Sequence, residues 1–164
     1  MKLTLSLIVI VVFVSLRDGQ TQTVSPVSNC SVPRCLVEIS AAINRGEVGR
    51  VEILRVSPDL ETRTSITPRA LEQIYETKLV IRNVAETSLR DKLTKALNQT
   101  TAVPRDQIGD LRWAIIFFSQ KDVRLGAFYF ERWGRYGVVN DKGAAFDGSL
   151  LDWLKKLPSG CPGN

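Results

Sequence analysis

The segment that most limits how this chain can fold is the run LRWAIIFF at residues 111–118. After Arg112 every position in it is apolar, so a strand built from it has no face left for water. Its length of eight residues suits a strand, and the pattern predicts a central strand that is covered on both faces. The next four residues, SQKD, suit a turn, and the apolar residues of 123–130 predict a second strand paired with the first.

The residues that follow predict a β-meander. Gly126 interrupts the second strand, which indicates a bulge or a close approach of another backbone. Short strands are predicted at 136–139 and 144–146, on either side of the sequence NDKG at 140–143. That sequence suits a type I turn with Gly143 in the left-handed conformation. Three or four consecutive strands result.

Helices and strands alternate in the first part of the chain, and a last helix closes it. The helical spacing of apolar residues, together with cap residues, predicts helices at 35–45, after Thr67-Pro68, after Ser88 and after Ser149. Ser88 and Ser149 are each followed three residues later by an aspartate, which we interpret as a capping box. β-rich residues predict strands at 51–56 and 78–84.

This order of elements predicts an α+β domain, with helices packed on one face of a mainly antiparallel sheet. The polar residues 98–110 predict only a connection between the two halves. The strands 51–56 and 78–84 are each followed by a helix, so their parallel pairing, and hence a mixed sheet, is the alternative. We place the single domain at residues 35–164 and a linker rich in Ser, Thr and Gln at residues 20–34.

Residues 1–19 predict an export signal. Lys2 precedes fourteen uncharged residues, 3–16, which is the charge pattern and length of a secretory signal peptide. As a helix this run would be about 21 Å long, shorter than the roughly 30 Å hydrocarbon core of a membrane. We therefore expect a secreted or periplasmic protein. Because no small-residue cleavage pattern follows, an uncleaved anchor is the alternative, with membrane contact through residues 3–16 alone.

Export permits disulfides, and the chain has three cysteines, Cys30, Cys35 and Cys161. Either Cys30 and Cys35 close a small loop, or one of them pairs with Cys161 and joins the two ends of the domain. We favour the pairing with Cys161, because in the chain-entropy model so long a loop restricts the unfolded chain by about 4–5 kcal/mol. The third thiol is then free or paired between chains.

The complete absence of histidine excludes several chemistries. Ser-His-Asp and Cys-His catalysis both need an imidazole base, and histidine is the commonest metal ligand. We therefore expect no metal site and no cofactor, and the sequence also lacks glycine-rich phosphate loops and the G-x-S-x-G motif. An enzyme would have to use carboxylates, as glycoside hydrolases do, with Glu131 as the candidate acid.

The sequence ERWGRYG at residues 131–137 is the strongest candidate for a binding site. Loops held by a rigid sheet often carry function, and Trp, Tyr and Arg are enriched at binding hot spots. The alternative is that the tryptophan covers the edge of the core while the arginines solvate the turn. The predicted binding residues are Glu131, Arg132, Trp133, Arg135 and Tyr136.

These observations predict an exported, non-catalytic binding module whose partner is a protein or an anionic envelope polymer. The formal net charge of +5 is consistent with an anionic partner. Most aromatic residues lie between positions 113 and 136 beside arginines, a composition that also suits nucleic-acid binding. Their strand pattern assigns them to the core, and an exported chain seldom meets nucleic acid, so we expect no such partner. The alternatives are a carboxylate-dependent glycan hydrolase and a structural envelope component.

Overall fold

The structure, a computed structural model, describes residues 30–84 and 88–157 of the 164-residue chain. The predicted export signal at 1–19 and Cys161 lie outside the described residues, as does most of the predicted linker at 20–34. None of the helices in the described part combines the length and the apolar character that a membrane crossing requires.

The described residues form four helices and seven strands. The helices are α1 (Val32–Asn44), α2 (Pro68–Ile74), α3 (Leu89–Asn98) and α4 (Leu150–Lys155). The strands are β1 (Val48–Arg55), β2 (Thr77–Arg82), β3 (Thr101–Pro104), β4 (Leu111–Ser119), β5 (Arg124–Glu131), β6 (Tyr136–Val139) and β7 (Lys142–Asp147). The predicted α+β class, with a meander and a closing helix, is confirmed.

The strands join one antiparallel sheet in the order β2-β1-β4-β5-β6-β7-β3. The parallel pairing of β1 and β2 that we considered is wrong, since Val51 faces Ile81 in antiparallel register. The physical reason is that the two ends of the connection between β1 and β2 are held together, since the Ser57 N–H donates to Glu76 Oε2 at 2.9 Å. The chain instead returns to the end that it left, where the Glu76 N–H donates to the Arg55 carbonyl at 2.9 Å.

Helices α1, α3 and α4 pack on one face of the sheet, as predicted, and enclose the larger core. Phe117 and Phe128 lie in this core in an edge-to-face contact, with ring centroids 5.6 Å apart. Helix α1 contributes Leu36, Ile39 and Ile43, at the spacing that predicted the helix. All five side chains are at most 3% exposed, so apolar burial positions α1.

The opposite face of the sheet is covered partly by α2, the one helix that departs from the predicted packing on a single face. Leu71 of α2 and Ile66, just before the helix, form a second apolar cluster with Leu54, Ile116 and Tyr129 of the sheet. Each of these side chains is at most 3% exposed. The middle of the sheet is therefore buried on both faces, as the apolar run in β4 predicted.

A connecting segment, residues 104–110, starts with the last residue of the edge strand β3, crosses the same face and ends at the central strand β4. The Arg105 N–H donates to the Gly143 carbonyl of β7 at 3.0 Å. Ile108 packs beside the same glycine, 3.4 Å from where a Cβ would stand. Gly109 then lies against Glu131 at the end of β5. The segment thus brings its residues to the start of the β5–β6 turn.

The two strands predicted from the apolar run are β4 and β5, and they pair in antiparallel register. The register shifts between Phe117 and Phe118, where β5 has Gly126. The predicted bulge is therefore confirmed. Beside it, the Ala127 N–H donates to the Asn140 side chain at 2.8 Å, which ties the bulge to the next turn.

Strand β3 and the turn between β6 and β7 differ from the predictions. β3 lies within residues 98–110, and its only buried side chain is Ala102, so the apolar pattern of this edge strand is too weak to predict it. In the turn, Asn140 and not Gly143 has a positive φ, 57°, and Gly143 is part of β7. A Cβ on Gly143 would collide with the Arg105 carbonyl oxygen, so the glycine is required by packing and not by the turn.

The predicted helix caps are confirmed at one helix and wrong at two. Thr67 caps α2, because its hydroxyl accepts an N–H of the first turn at 3.2 Å. The side chains of Ser88 and Ser149 accept no capping bond. At α4 the Leu150 N–H donates instead to Thr100 Oγ1 at 3.0 Å. A buried hydroxyl from a distant segment has taken the place of the local cap.

The disulfide joins Cys30 to Cys35, whose Cα atoms are 5.3 Å apart. The pairing with Cys161 that we favoured is therefore wrong. The physical reason is the first turn of α1, which is closed by the hydrogen bond from the Cys35 N–H to the Ser31 carbonyl at 3.0 Å. This turn brings Cys30 and Cys35 within the Cα separation that a disulfide needs, so local geometry outweighs the gain from a longer loop.

Candidate binding surface

The turn at residues 131–136 is the predicted binding site, and the structure holds it in one shape. The Gly134 N–H donates to the Glu131 carbonyl at 3.2 Å. Gly134 has a φ of 78°, in the left-handed region that favours glycine. A Cβ there would also collide with Leu151 of α4. The glycine is therefore required both by the turn and by its packing on α4.

Trp133 is the most exposed large apolar side chain among the described residues, with 69% of its surface accessible. The Arg132 guanidinium carbon lies 5.0 Å from the centre of the tryptophan ring. Arg132 Nη2 also lies 3.9 Å from Asp59 Oδ1, in the connection between β1 and α2. The alternative in which the tryptophan seals the edge of the core does not fit so exposed a side chain.

The other predicted residues are of two kinds. Arg135 is exposed, and its carbonyl accepts the Phe146 N–H at 2.9 Å. Glu131 and Tyr136 are partly buried, and Glu131 Oε1 accepts the Tyr136 N–H at 3.3 Å. Glu131 Oε2 packs against Gly109, 2.7 Å from where a Cβ would stand. The Glu131 carboxylate therefore stabilises its own turn and the approach of a neighbouring loop.

Arg112 orders a neighbouring loop, although we did not predict it as a site residue. It is 6% exposed, and its Nη1 donates to the carbonyls of Ser57 at 3.0 Å and Leu60 at 2.9 Å. Its Nη2 forms an ion pair with the Asp110 carboxylate. A guanidinium can satisfy three acceptors at once because its donors lie in a fixed plane. The signal in the sequence is that Arg112 is the one charged residue in the run 111–118.

Asp110 extends this network to a second loop. Its Oδ1 accepts the Ile66 N–H at 2.8 Å, and the Leu111 N–H donates to the Ile66 carbonyl at 3.2 Å. Asp110 is the last residue of the segment 104–110, and Ile66 is the last residue of the segment 57–66. The two loops are therefore fixed to each other by polar contacts.

Three adjoining loops, residues 57–66, 104–110 and 131–136, form what we call the three-loop surface. The Arg132 ion pair and the Gly109 contact described above join the turn to each of the other two loops. Each loop has one exposed large apolar side chain: Leu60 (37%), Ile108 (47%) and Trp133 (69%). Exposed apolar side chains on adjoining, ordered loops are typical of interaction sites.

A separate polar cluster lies under α2. The Tyr129 hydroxyl donates to Glu72 and accepts from Arg124. Arg124 Nη1 also pairs with Glu72 Oε1 at 3.1 Å. Burial, with the hydrogen bond to Glu72, raises the pKa of Tyr129 above its ordinary value. The hydroxyl stays protonated and anchors α2 to β5, so we assign this cluster to stability.

The described ranges contain no group of three or more Cys, Asp and Glu side chains placed to hold a metal ion. Residues 104–107 line a shallow, open depression that belongs to the three-loop surface. No protein-family model, curated protein or solved structure matches the chain. The function is therefore inferred from the three-loop surface itself.

Proposed function

We propose that the protein is an exported, non-catalytic binding module that recognises a protein partner through the three-loop surface. The main observation in support is the 69% exposure of Trp133, beside loops that expose Leu60 and Ile108. Trp and Arg contribute most often to the binding energy of interfaces, and burial of a tryptophan removes a large apolar area from water. Export is the prediction from residues 1–19.

The ordering of the three loops supports the same function. Binding costs conformational entropy for each side chain and loop that must be immobilised. Arg112 and Asp110 already hold two of the loops in the free protein, and Gly134 holds the third. A partner therefore meets a surface that needs little rearrangement.

The charges of the three loops favour a protein over an anionic polymer. The loops carry five acidic side chains, Asp59, Glu61, Asp106, Asp110 and Glu131, and four basic ones, Arg63, Arg105, Arg132 and Arg135. An anionic polymer requires an excess of positive charge at its binding site. This surface has none, although the whole chain is basic.

The other candidate functions have less support. A glycan hydrolase needs a free acid close to a second carboxylate, whereas the Glu131 carboxylate accepts the N–H of Tyr136 and closes its own turn. A purely structural role gives no reason for the exposure of Trp133 on a fixed turn.

Partner capture with matched variants tests the proposal. The chain, biotinylated at its C terminus, is incubated with envelope and culture fractions of the source cells, and each retained protein is then purified for affinity measurement. We expect Trp133→Ala to weaken binding about thirtyfold, the loss typical of a hot-spot residue. The control, Val37→Ala, alters a side chain on α1 that is 66% exposed, and should leave the affinity unchanged.

An affinity that is unchanged in both Trp133→Ala and Arg135→Ala would contradict the site. Retention of polyphosphate that depends on Trp133, with no retained protein, would replace the protein partner with an anionic polymer. A partner whose affinity falls equally in Val37→Ala would place the contact outside the three-loop surface.

A further inference from the structure

A second surface lies at the edge of the sheet, separated from the β5–β6 turn by β1 and β4. Strand β2 is first in the strand order, so among the described residues only β1 pairs with it. No described residue pairs with its outer row of backbone N–H and C=O groups, which can therefore accept another extended segment. Lys78, Val80 and Arg82 are exposed on one face, while Leu79 and Ile81 face the larger core.

The charges on this edge are not balanced. Arg82 lies directly opposite Arg50 in the β1–β2 pair, and like charges at facing positions repel. Arg50 forms ion pairs with Glu52 and Asp122, and Lys78 Nζ lies 2.9 Å from Glu52 Oε1. Arg82 has no ion pair within the described ranges. The carboxylates of Glu52 and Asp122 thus pair with two of the three cations on this face. The third, Arg82, is left without a compensating negative charge among the described residues.

We propose that the β2 edge pairs with an extended acidic segment of a partner protein. Lys78 and Arg82 lie on the same face with Val80 between them, at the two-residue period of a strand. The complementary strand has a carboxylate, an apolar residue and a carboxylate at alternate positions. Main-chain hydrogen bonds supply the part of the affinity that does not depend on sequence, and the cross-strand pairs supply the specificity.

Other occupants of the edge fit less well. A second copy that paired antiparallel about Val80 would bring Lys78 of each chain opposite Arg82 of the other, and these charges repel. Residues 20–29 and 158–164 of the same chain contain no carboxylate side chain. The edge therefore repels its own copy and favours an acidic strand from another protein.

The test uses the full chain and the synthetic peptide acetyl-Thr-Glu-Thr-Val-Thr-Glu-Thr-amide. The control peptide has lysine in place of both glutamates. Calorimetry measures the affinity, and hydrogen-deuterium exchange locates the contact. We expect the glutamate peptide to bind about tenfold more tightly than the lysine peptide. We also expect it to slow the exchange of amides in Thr77–Arg82.

Charge variants distinguish binding at the β2 edge from attraction of the peptide to the net charge of the protein. Arg82→Glu removes the repulsion from Arg50, so we expect it to fold, to bind the glutamate peptide about tenfold more weakly and to bind the lysine peptide more tightly. Lys95→Glu, at an exposed position of α3, makes the same change in net charge and should leave both affinities unchanged. If Arg82→Glu does not fold, Arg82→Gln takes its place, with an expected loss of about threefold.

Absence of binding by the glutamate peptide would overturn the proposal. So would equal binding to Arg82→Glu, or slowed exchange in a segment other than β2. Polyphosphate that binds with the same dependence on Arg82, while the peptide protects no amide of β2, would assign the edge to a polyanion instead. Peptide binding that persists in Trp133→Ala and is lost in Arg82→Glu would show that this site is independent of the three-loop surface.

Discussion

Arg112 is a buried cation whose contacts come from two loops. A cation is costly to bury, and the cost is offset here by two carbonyls and the Asp110 carboxylate. The same contacts hold the segments 57–66 and 104–110 in place. A single side chain therefore links the stability of the fold to the shape of the three-loop surface.

The substitution Arg112→Met keeps most of the aliphatic volume of the side chain and removes all the guanidinium hydrogen-bond donors. We expect it to lower the free energy of unfolding by about 3 kcal/mol, because Asp110 Oδ2 and two carbonyls lose their partner. Urea unfolding followed by tryptophan fluorescence measures the change. Arg105→Met, at an exposed arginine of the same surface, should change the free energy by less than about 0.5 kcal/mol. Equal effects of the two variants would argue against a special role for Arg112.

Tyr129 makes stability depend on pH at the alkaline end. An unfolded tyrosine ionises near pH 10, whereas the raised pKa keeps Tyr129 protonated at that pH in the folded chain. The stabilisation is therefore complete below about pH 10 and is lost as the pH rises further, because only the unfolded state releases its proton. We expect the free energy of unfolding to fall as the pH rises from about 10 to about 11.5, and to fall less steeply in Tyr129→Phe.

The matched control for this pH dependence is Tyr75→Phe, at a tyrosine that is 38% exposed. In Tyr75→Phe the free energy of unfolding should fall with pH as steeply as in the unsubstituted protein. Urea unfolding at several pH values measures all three proteins, and identical slopes would show that Tyr129 does not ionise differently on unfolding.

Helices and strands that show a regular pattern of apolar residues can be predicted from the sequence. Those that form because of a contact with a distant residue cannot. Helix α1 has apolar residues at helical spacing, and β4 is apolar along almost its whole length, so both follow from pattern alone. β3 buries only Ala102 and is a strand because Thr101 pairs with Asp147 of β7. The cap of α4 likewise depends on a distant residue, since the acceptor of the Leu150 N–H is Thr100 and not the local Ser149.

Two hydroxyl side chains lie near the start of α4, Thr100 and Ser149, and their contributions to stability can be compared directly. We expect Thr100→Val to lower the free energy of unfolding by about 1–2 kcal/mol, because the buried Leu150 N–H loses its acceptor. Ser149→Ala should lower it by less than about 0.5 kcal/mol, since that hydroxyl caps nothing. Urea unfolding measures both. A larger loss in Ser149→Ala than in Thr100→Val would show that the local capping box forms after all.

The whole molecule has two candidate surfaces, the three-loop surface and the β2 edge. Part of the first can be predicted from the sequence, and the second cannot. The turn 131–136 stands out because it combines Trp, Tyr and Arg. The segments 57–66 and 104–110 join it only through contacts of folded side chains, which sequence spacing does not reveal. The β2 edge is recognisable only once the strand order is known, because an edge strand and an inner strand can have the same pattern.

The disulfide closes a short loop, so its effect on the whole molecule is limited. We expect reduction to lower the free energy of unfolding by about 2 kcal/mol and to leave the fold intact. Urea unfolding with and without reductant measures the loss, and peptide mapping of the unreduced protein locates the link between Cys30 and Cys35. A loss near 4–5 kcal/mol, with a link to Cys161, would restore the pairing that loop length favours.

Strand β3 can enter the sheet only after β7 has been made, since Thr101 pairs with Asp147. The three-loop surface likewise joins segments 57–66 and 131–136, which leave the ribosome at different times. A nascent chain that has not yet reached residue 147 therefore has neither a complete sheet nor a complete three-loop surface. Under the proposed function, a partner would bind only chains that extend beyond this point.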